Sequence, residues 1–514
     1  MNAFWTVLWS LAQDIIIAIF KVPPPKNQPR RPYGRIAVVG AGLTGVSSAA
    51  HCISHNFEVV LFEAAPQSGL GGIWAHVNST SSLQIHSQMY RFHPAVFWRH
   101  AFPFQDEILG EITRIWKEYH LEPRTRFETP VTSVRKVGGH WLVNDGSEGP
   151  FDAVIVTVGT CGKPQWIHLE GMPNAIGQDS DSSSTTAEPQ TDVFTKPILH
   201  SSELDSHAVS EETIKGKKVV VIGSAASGVE VVETLLERGA GEVVMIARTD
   251  KWIIPRNFFF NTFLACQQPF GREMPLSFLF EPFLKHWHYN GATDLLPADN
   301  GLFKGTPIVN DAFLELVRSG ACKYVRGDPI RLTSSGVRTN IRNRGSKCGS
   351  DGTEETIDAD AIVLATGYER PPISFLDPSL FPEGYQRPDL YMLNFSTEDW
   401  SVLVTNSSFM SAIGTVGHFH IGIYTRILLT LLMDENTRPS PKDMKLWVDT
   451  VRYVKHGAAG GPLSFFTYGE SLIWLIMFHF FRPSRLQWFF FIMFGWGMRT
   501  KEGKREERPI ILSL

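Results

Sequence analysis

Cysteine is scarce in this chain: five in 514 residues, and no two of them at CxxC spacing. Cys52, Cys161, Cys266, Cys322 and Cys348 stand far apart. That excludes a disulfide scaffold, a zinc cluster and a redox dithiol, and it suits a reduced, cytosol-facing protein. Charge of one sign is missing too. The formal net charge is −4, with neither a basic field for nucleic acid nor an acidic tract. No order of Ser, His and Asp, no paired carboxylates and no ligand spacing among histidines such as His418 and His420 points to hydrolytic or metal chemistry. An unbroken apolar run of the roughly 20 residues that a spanning helix needs is absent as well.

Glycine, by contrast, is placed with purpose. The first glycine turn is Gly40-Ala41-Gly42-Leu43-Thr44-Gly45, and the second is Gly223-Ser224-Ala225-Ala226-Ser227-Gly228. Each follows an apolar run, Arg35 to Val39 and Lys218 to Ile222, and each opens a helix-like segment. In such a turn the first glycine permits the bend. The second lets backbone approach a pyrophosphate, and the third lets helix and strand pack closely. The helix N-terminus then offers free N–H groups to the anion. Two such turns predict a protein that holds two dinucleotides at once.

The residues that close each second strand differ. Glu63 ends the strand after the first turn, where a carboxylate accepts from ribose hydroxyls and disfavours a 2′-phosphate, so FAD or NAD fits. Arg248 ends the strand after the second turn, where a guanidinium suits a 2′-phosphate and so NADPH. Ser224 and Ser227 add hydroxyls that can donate to phosphate, and Ala225 takes the middle glycine position.

The order of these pieces resembles the flavin-containing monooxygenases, the class B flavoproteins, over roughly residues 34 to 430. Gly71-Gly72-Ile73-Trp74 is similar to that family's GG-x-W segment over the flavin, and Ala365-Thr366-Gly367-Tyr368 to its ATGY turn. The family identifier before the second turn is half kept. Phe194 and His200 are present, while Lys196 and Leu204 replace the expected Gly and aromatic, which argues against the Baeyer–Villiger branch. The family's S-L-x-x-N reads Ser82-Leu83-Gln84-Ile85-His86, followed by Ser87.

The resemblance implies an α/β fold with two Rossmann-like dinucleotide-binding domains, as in glutathione reductase, and apolar helical termini. It implies FAD held by Gly40, Gly42, Leu43, Thr44, Gly45, Glu63, Gly72, Ile73, Trp74, Ser87, Thr366 and Gly367. NADPH is expected on Gly223, Ser224, Ala225, Ser227, Gly228 and Arg248. It further implies O2 as co-substrate, a flavin 4a-hydroperoxide as oxidant and a lipophilic small molecule as substrate. A Baeyer–Villiger oxygenase and an NADPH-oxidising flavoprotein without oxygen insertion are the alternatives. His86, in the Asn place, is the candidate catalytic group, able to donate to the peroxide or to titrate and make turnover pH-dependent. No metal is expected.

The expected domains are 34–165 for FAD, 166–357 for NADPH with polar insertions at 177–192 and 345–355, and 358–460 returning to the FAD unit. Residues 1–33 and 461–514 flank them. Residues 3 to 20 are apolar apart from Thr6, Ser10, Gln13 and Asp14, which share one narrow helical stripe. Leu472 to Phe481 and Leu486 to Trp496 are apolar and too short to span, so they are expected to dip into one leaflet. Lys21, Lys26, Arg30 and Arg31 follow the first stretch, and Arg499, Lys501, Lys504, Arg505 and Arg508 the last. The expectation is a membrane-associated protein, at the endoplasmic reticulum, with a cytosolic body and membrane lipid as a partner. The Phe-rich stretch 256–290 reads as helical, and Gly414 and Gly417 as a turn able to approach the flavin ring.

Overall fold

Helix α1 spans Ala3–Phe20, and the first βαβ unit follows as β1 (Arg35–Val39), α2 (Leu43–Ser54) and β2 (Glu58–Phe62). This computed structural model describes residues 3–24, 31–173, 192–206, 209–258, 260–261, 270, 277–298, 301–302, 307–406, 419–458, 461–464 and 466–497. The polar stretch 177–191, Gly414, Gly417, His418, Cys266, Lys26, Arg30 and the basic residues from Arg499 to Arg508 lie outside them.

Two sheets organise the rest. After helix α3 (Gln105–Glu118) come β3 (Thr125–Arg126), a hairpin of β4 (Val134–Val137) and β5 (His140–Val143), and β6 (Ala153–Val156). The strand Val402–Leu403 (β16) arrives from far along the chain to join them. The first sheet runs β16-β6-β1-β2-β3, all parallel. Its central runs, 36–39, 59–62 and 153–156, are apolar because α2 covers one face and the hairpin layer the other, as parallel sheets require.

The second sheet collects β7 (Ile198–His200), β8 (Lys218–Ile222), β9 (Glu242–Ala247), β12 (Cys322–Leu332), β13 (Gly336–Ile341), β14 (Thr353–Asp358) and β15 (Ala361–Leu364). Helix α4 (Ala226–Glu237) joins β8 to β9. Their order is β14-β13-β12-β9-β8-β15-β7, parallel except at β12, β13 and β14. Between β9 and β12 lie the short parallel pair β10 (Ile253–Ile254) and β11 (Ile308–Val309) and helices α5 (Ser277–Trp287) and α6 (Phe313–Arg318).

The expected return to the first unit at residue 358 is corrected. β15 pairs with β7 and β8, so it completes the second sheet. The chain crosses back only after Tyr368. There Gly162 N and Glu369 N donate to Glu369 O and Lys163 O, making the two crossings a short ribbon.

Helices α7 (His420–Met433), α8 (Pro441–Val454), α9 (Tyr468–Phe480) and α10 (Phe489–Phe494) end the chain. The break at Arg482-Pro483 is where the sequence places it. The two apolar segments are partly buried in the protein itself: Trp474, Leu475, Phe478, Phe491 and Ile492 belong to the core around α2. Among the described residues no helix is long and apolar enough to cross a membrane.

Candidate cofactor and oxygenation site

Each glycine turn is built by contacts a side chain would break. Gly40 has φ +103°, and a Cβ there would stand 2.9 Å from Thr157 O; at Gly45 it would overlap Gly40 O. Gly42 is different. A Cβ there would meet protein only at 3.6 Å, in ordinary contact with Gly72 Cα. The fold therefore does not need glycine at that position, and its absent side chain leaves a cradle at the start of α2. Glu63 finishes the cradle: Oε2 accepts from Ala41 N at 2.7 Å and Oε1 from Ala65 N at 2.9 Å. Each oxygen keeps a lone pair for a ribose hydroxyl. Gly71 N donates to Ala41 O at 3.1 Å, so Gly72-Ile73-Trp74 lies against the turn as the motif predicts. Sequence reasoning missed Thr157, whose hydroxyl bonds Val39 O and Gly40 O, and Asn406, whose Nδ2 donates to Thr44 Oγ1 at 3.1 Å. Neither sits in a recognisable motif.

The second turn repeats the geometry. Gly223 has φ +117° and packs on Ala365 O, and Gly228 packs on Gly223 O. Ser224 is corrected as a phosphate donor, because its hydroxyl donates to Thr249 O at 3.0 Å. Ser227, half-buried in the first turn of α4, is the hydroxyl left for that role. Arg248 is 64% exposed, with Nη2 at 3.1 Å from Cys348 Sγ and Nε at 3.7 Å from Asp328 Oδ1. It is thus an accessible guanidinium held at the strand end.

Further expected site residues are placed as follows. Ser87 is fully buried and spends both donors on the loop beside it, N to Ala101 O and Oγ to His100 O. Thr366 gives its hydroxyl to Gln165 O, and Gly367 O accepts from Gln165 N and faces His200 Nε2 at 3.0 Å. The Ser87 and Thr366 hydroxyls thus brace the loop and the crossing, while Gly367, at φ +85°, has open space beside its Cα. His86 does not titrate near neutrality, because burial holds its pKa down at about 4.

The two units are pinned along one segment, Asn78 to His86. Asn78 Nδ2 donates to Ser201 O at 2.6 Å, Thr80 and Thr234 hydroxyls meet at 2.8 Å, and Arg256 Nη2 donates to Ser82 Oγ at 3.1 Å. Glu230, on α4, takes a hydrogen bond from Gln84, and burial pushes its carboxyl up to about 7. His86 therefore sits at the seam between the units. Trp9 of α1, Phe102 and Phe258 present ring edges around it at centroid distances of 4.9, 5.6 and 4.8 Å. Among the described residues no cluster could hold a metal ion, and Cys52, Cys161, Cys322 and Cys348 are free thiols.

Comparison with known proteins agrees with this architecture. Residues 34–258 match the pyridine nucleotide-disulphide oxidoreductase family model. Flavin-containing monooxygenase 3 of Canis lupus familiaris is 25% identical over 419 residues, covering 70% of this chain and 69% of that protein. The N-oxide-forming dimethylaniline monooxygenase 2 of Rattus norvegicus is 26% identical over 392 residues, covering 70% and 66%. Among solved structures, an oxidized steroid monooxygenase bound to NADP superposes with TM-score 0.64 at 17% identity, covering 88% of this chain and 98% of that one. OTEMO in complex with FAD and NADP superposes with TM-score 0.63 at 17% identity, covering 88% and 98%. With both glycine turns, the GG-x-W segment and the ATGY turn in their places, the chain is similar to flavin-containing monooxygenases in sequence and shares the two-sheet fold of the solved monooxygenases.

Proposed function

We propose that this protein uses NADPH and O2 to place one oxygen atom on a lipophilic small molecule, with FAD on the first glycine turn and NADPH on the second. The observation that carries this reading is the pair of cradles, each on its own parallel sheet, joined by the segment that ends at His86. Bound flavin and nicotinamide supply the redox chemistry itself. The chain's part is to bind, orient and exclude water. Gly42 and the α2 N-terminus receive a pyrophosphate, Glu63 a ribose, and Arg248 with Ser227 a 2′-phosphate.

His86 acts as a neutral donor. Its Nδ1 accepts from Gln88 N at 3.3 Å, which puts the ring proton on Nε2. A group with a pKa of about 4 keeps that proton arrangement throughout the physiological range.

The body works at a membrane surface, on the cytosolic side of the endoplasmic reticulum. This rests on inverted amphipathicity in α1. Gln13 is fully buried against the protein, while Val7, Leu8, Leu11, Ile15 and Ile19 form an exposed stripe with Asp14 at its edge. The end of α1 meets the end of the chain, where Phe20 stacks on Trp496 at 5.7 Å and Trp496 Nε1 donates to Ile19 O. Phe480, Phe481, Leu486 and Phe490 continue the exposed apolar surface there. A surface of this kind on two adjoining elements fits the acyl–headgroup boundary.

The test is direct. Purified protein is expected to carry FAD, to oxidise NADPH in preference to NADH in an O2-dependent way, and to yield a product heavier by one oxygen in mass spectra. Gly42→Val places a branched side chain in the cradle; full flavin stoichiometry in that variant would overturn the FAD assignment.

A further inference from the structure

The guanidinium of Arg248 stands beside the loop 342–352, which joins β13 to β14. That loop reads in the sequence as a polar insertion, yet it is tied to the end of β9. Arg342, almost fully buried, donates from Nη2 to Arg248 O at 2.7 Å and from Nη1 to Ser346 O at 2.8 Å. Asn340 Nδ2 donates to Ser350 O and Gly349 N to Asp328 Oδ2, both at 2.9 Å. These contacts deliver the exposed thiol of Cys348 to the guanidinium. Its Sγ donates to Asp328 Oδ1 at 3.1 Å and accepts from Arg248 Nη2 at 3.1 Å. The nearby acids belong to other arginines. Asp328 pairs with Arg342 at 2.7 Å, and Asp250, two residues after Arg248, accepts from Arg326 Nε and the Tyr324 hydroxyl, both at 2.9 Å. Burial works against the charge on Asp328, but Cys348, Gly349 N and Arg342 outweigh it and hold that carboxyl below its ordinary range. Arg248 reaches Asp328 only at 3.7 Å, so its close side-chain contact is with a neutral sulfur. A thiol sulfur is a weak acceptor, and a phosphate oxygen is a strong one.

We propose that Cys348 is a specificity-determining residue of the nucleotide site: it holds Arg248 at the strand end through a neutral, weak acceptor that yields the guanidinium to a 2′-phosphate. This rests on the assignment of NADPH to the second turn. It adds that the loop 342–352 is part of that site, and that preference for the 2′-phosphate depends on the acceptor beside Arg248 as well as on Arg248 itself. A carboxylate in the place of the thiol would keep the guanidinium as an ion pair and repel the phosphate. Nucleotides with and without the 2′-phosphate would then bind more nearly alike.

Calorimetric titration of the full-length, flavin-loaded protein with NADP+ and with NAD+ tests this. Cys348→Asp is expected to raise the Kd for NADP+ about tenfold, the effect of losing one charge-assisted hydrogen bond. The Kd for NAD+ is expected to stay within about twofold, as for a surface substitution. Cys348→Asn has the same shape without the charge and is expected to bind NADP+ within about threefold of the parent. The thiol is exposed, so both variants should fold and keep the parent's melting temperature. In turnover, the KM of Cys348→Asp for NADPH should rise with the Kd and that for NADH should not. Unchanged NADP+ binding in Cys348→Asp, or equal weakening in Cys348→Asn and Cys348→Asp, would overturn the inference. Arg248→Ala, titrated alongside, separates it from the reading beneath. If Arg248→Ala leaves NADP+ binding unaltered, the assignment of NADPH to the second turn falls and this inference with it. If Arg248→Ala weakens NADP+ and Cys348→Asp does not, the assignment stands and the role of Cys348 alone falls.

Discussion

Arg248 shows how a single residue can be placed by the fold and still be available to a ligand. Its partners Asp328 and Cys348 hold it loosely, while Arg342, almost fully buried, takes Asp328 Oδ2 at 2.7 Å and so satisfies most of that carboxylate. A 2′-phosphate can therefore draw Arg248 away at little cost. Arg248→Ala is expected to raise the KM for NADPH about tenfold and to leave that for NADH unchanged, the effect of one charge-assisted hydrogen bond of roughly 1.5 kcal/mol at an exposed site. Steady-state kinetics with both nicotinamides checks it. Glu230 carries the opposite character. Burial is the main cause of its raised value of about 7; Gln84, Arg256 and Ser82 N–H pull down against it, and Glu233 adds to it. The folded value lies above the unfolded one near 4.5, so folding favours the protonated form. That stability is complete below about pH 4.5 and is lost as pH rises towards 7. Glu230→Gln is expected to flatten the fall in melting temperature between pH 5 and 7. Part of the slope should remain, because Glu233 is shifted the same way by burial. An unchanged slope would show that Glu230 is not desolvated.

At the scale of elements, buried polar groups decide how the ends of the chain dock. Gln13 bridges α1 to the backbone of Trp98 and also accepts from Arg91 Nη2 at 2.8 Å. Lys21 adds an ion pair with Glu118 at 2.5 Å, and Tyr119 and Ser54 hydroxyls donate to Val22 O. At the other end, Arg426 on α7 donates to Ile492 O and Met493 O, where α10 leaves its carbonyls without helical partners. Arg485 serves Phe478 O near the end of α9 in the same way. Gln13→Leu keeps the volume but strands Trp98 N and Arg91 Nη2, while Trp98 O keeps Trp9 Nε1. It is expected to destabilise the protein by about 2–4 kcal/mol, measured by chemical denaturation, since each buried group left unsatisfied costs about 1–3 kcal/mol. The sequence made α1 legible from end to end, and the glycine spacing located both βαβ units, because those signals are local. The docking of α1 was not legible: a stripe containing Ser10, Gln13 and Asp14 reads equally as a face towards water, and its partner Trp98 lies far along the chain. For the same reason Ser87, Thr366 and Ser224 read as ligands when their protons are in fact committed to distant carbonyls. His86 read as titratable because the three aromatics that desolvate it come from three separate segments.

For the whole molecule, the consequence concerns how attachment can be tested. Deleting both ends suggests itself from the sequence, since both glycine turns lie outside them. The packing argues against it. Removing residues from 462 onward would strip Leu463, Phe466, Trp474, Leu475, Phe478, Phe491 and Ile492 from the core that also holds α2, and with it the first cradle. The buried Lys455–Glu470 pair, at 3.1 Å, would lose its acid and leave an uncompensated charge in the interior. Loss of sedimentation after such a deletion would then report unfolding as readily as release. Substituting outward-facing residues separates the two. Val7→Asn, Leu11→Asn and Ile15→Asn act on α1, and Phe480→Ser and Phe490→Ser act near the chain end; all five side chains are 49% exposed or more. None of these positions contributes to the buried core, so flavin content and melting temperature are expected to stay near those of the parent. The parent should sediment with phosphatidylcholine vesicles. Either set of substitutions alone should weaken sedimentation, and both together should abolish it, because two weak apolar contacts on one surface act multiplicatively. Recovery of the fivefold variant in the vesicle pellet, with flavin intact, would move the attachment away from these two elements and towards the exposed Phe278, Phe283 and Trp287 on α5.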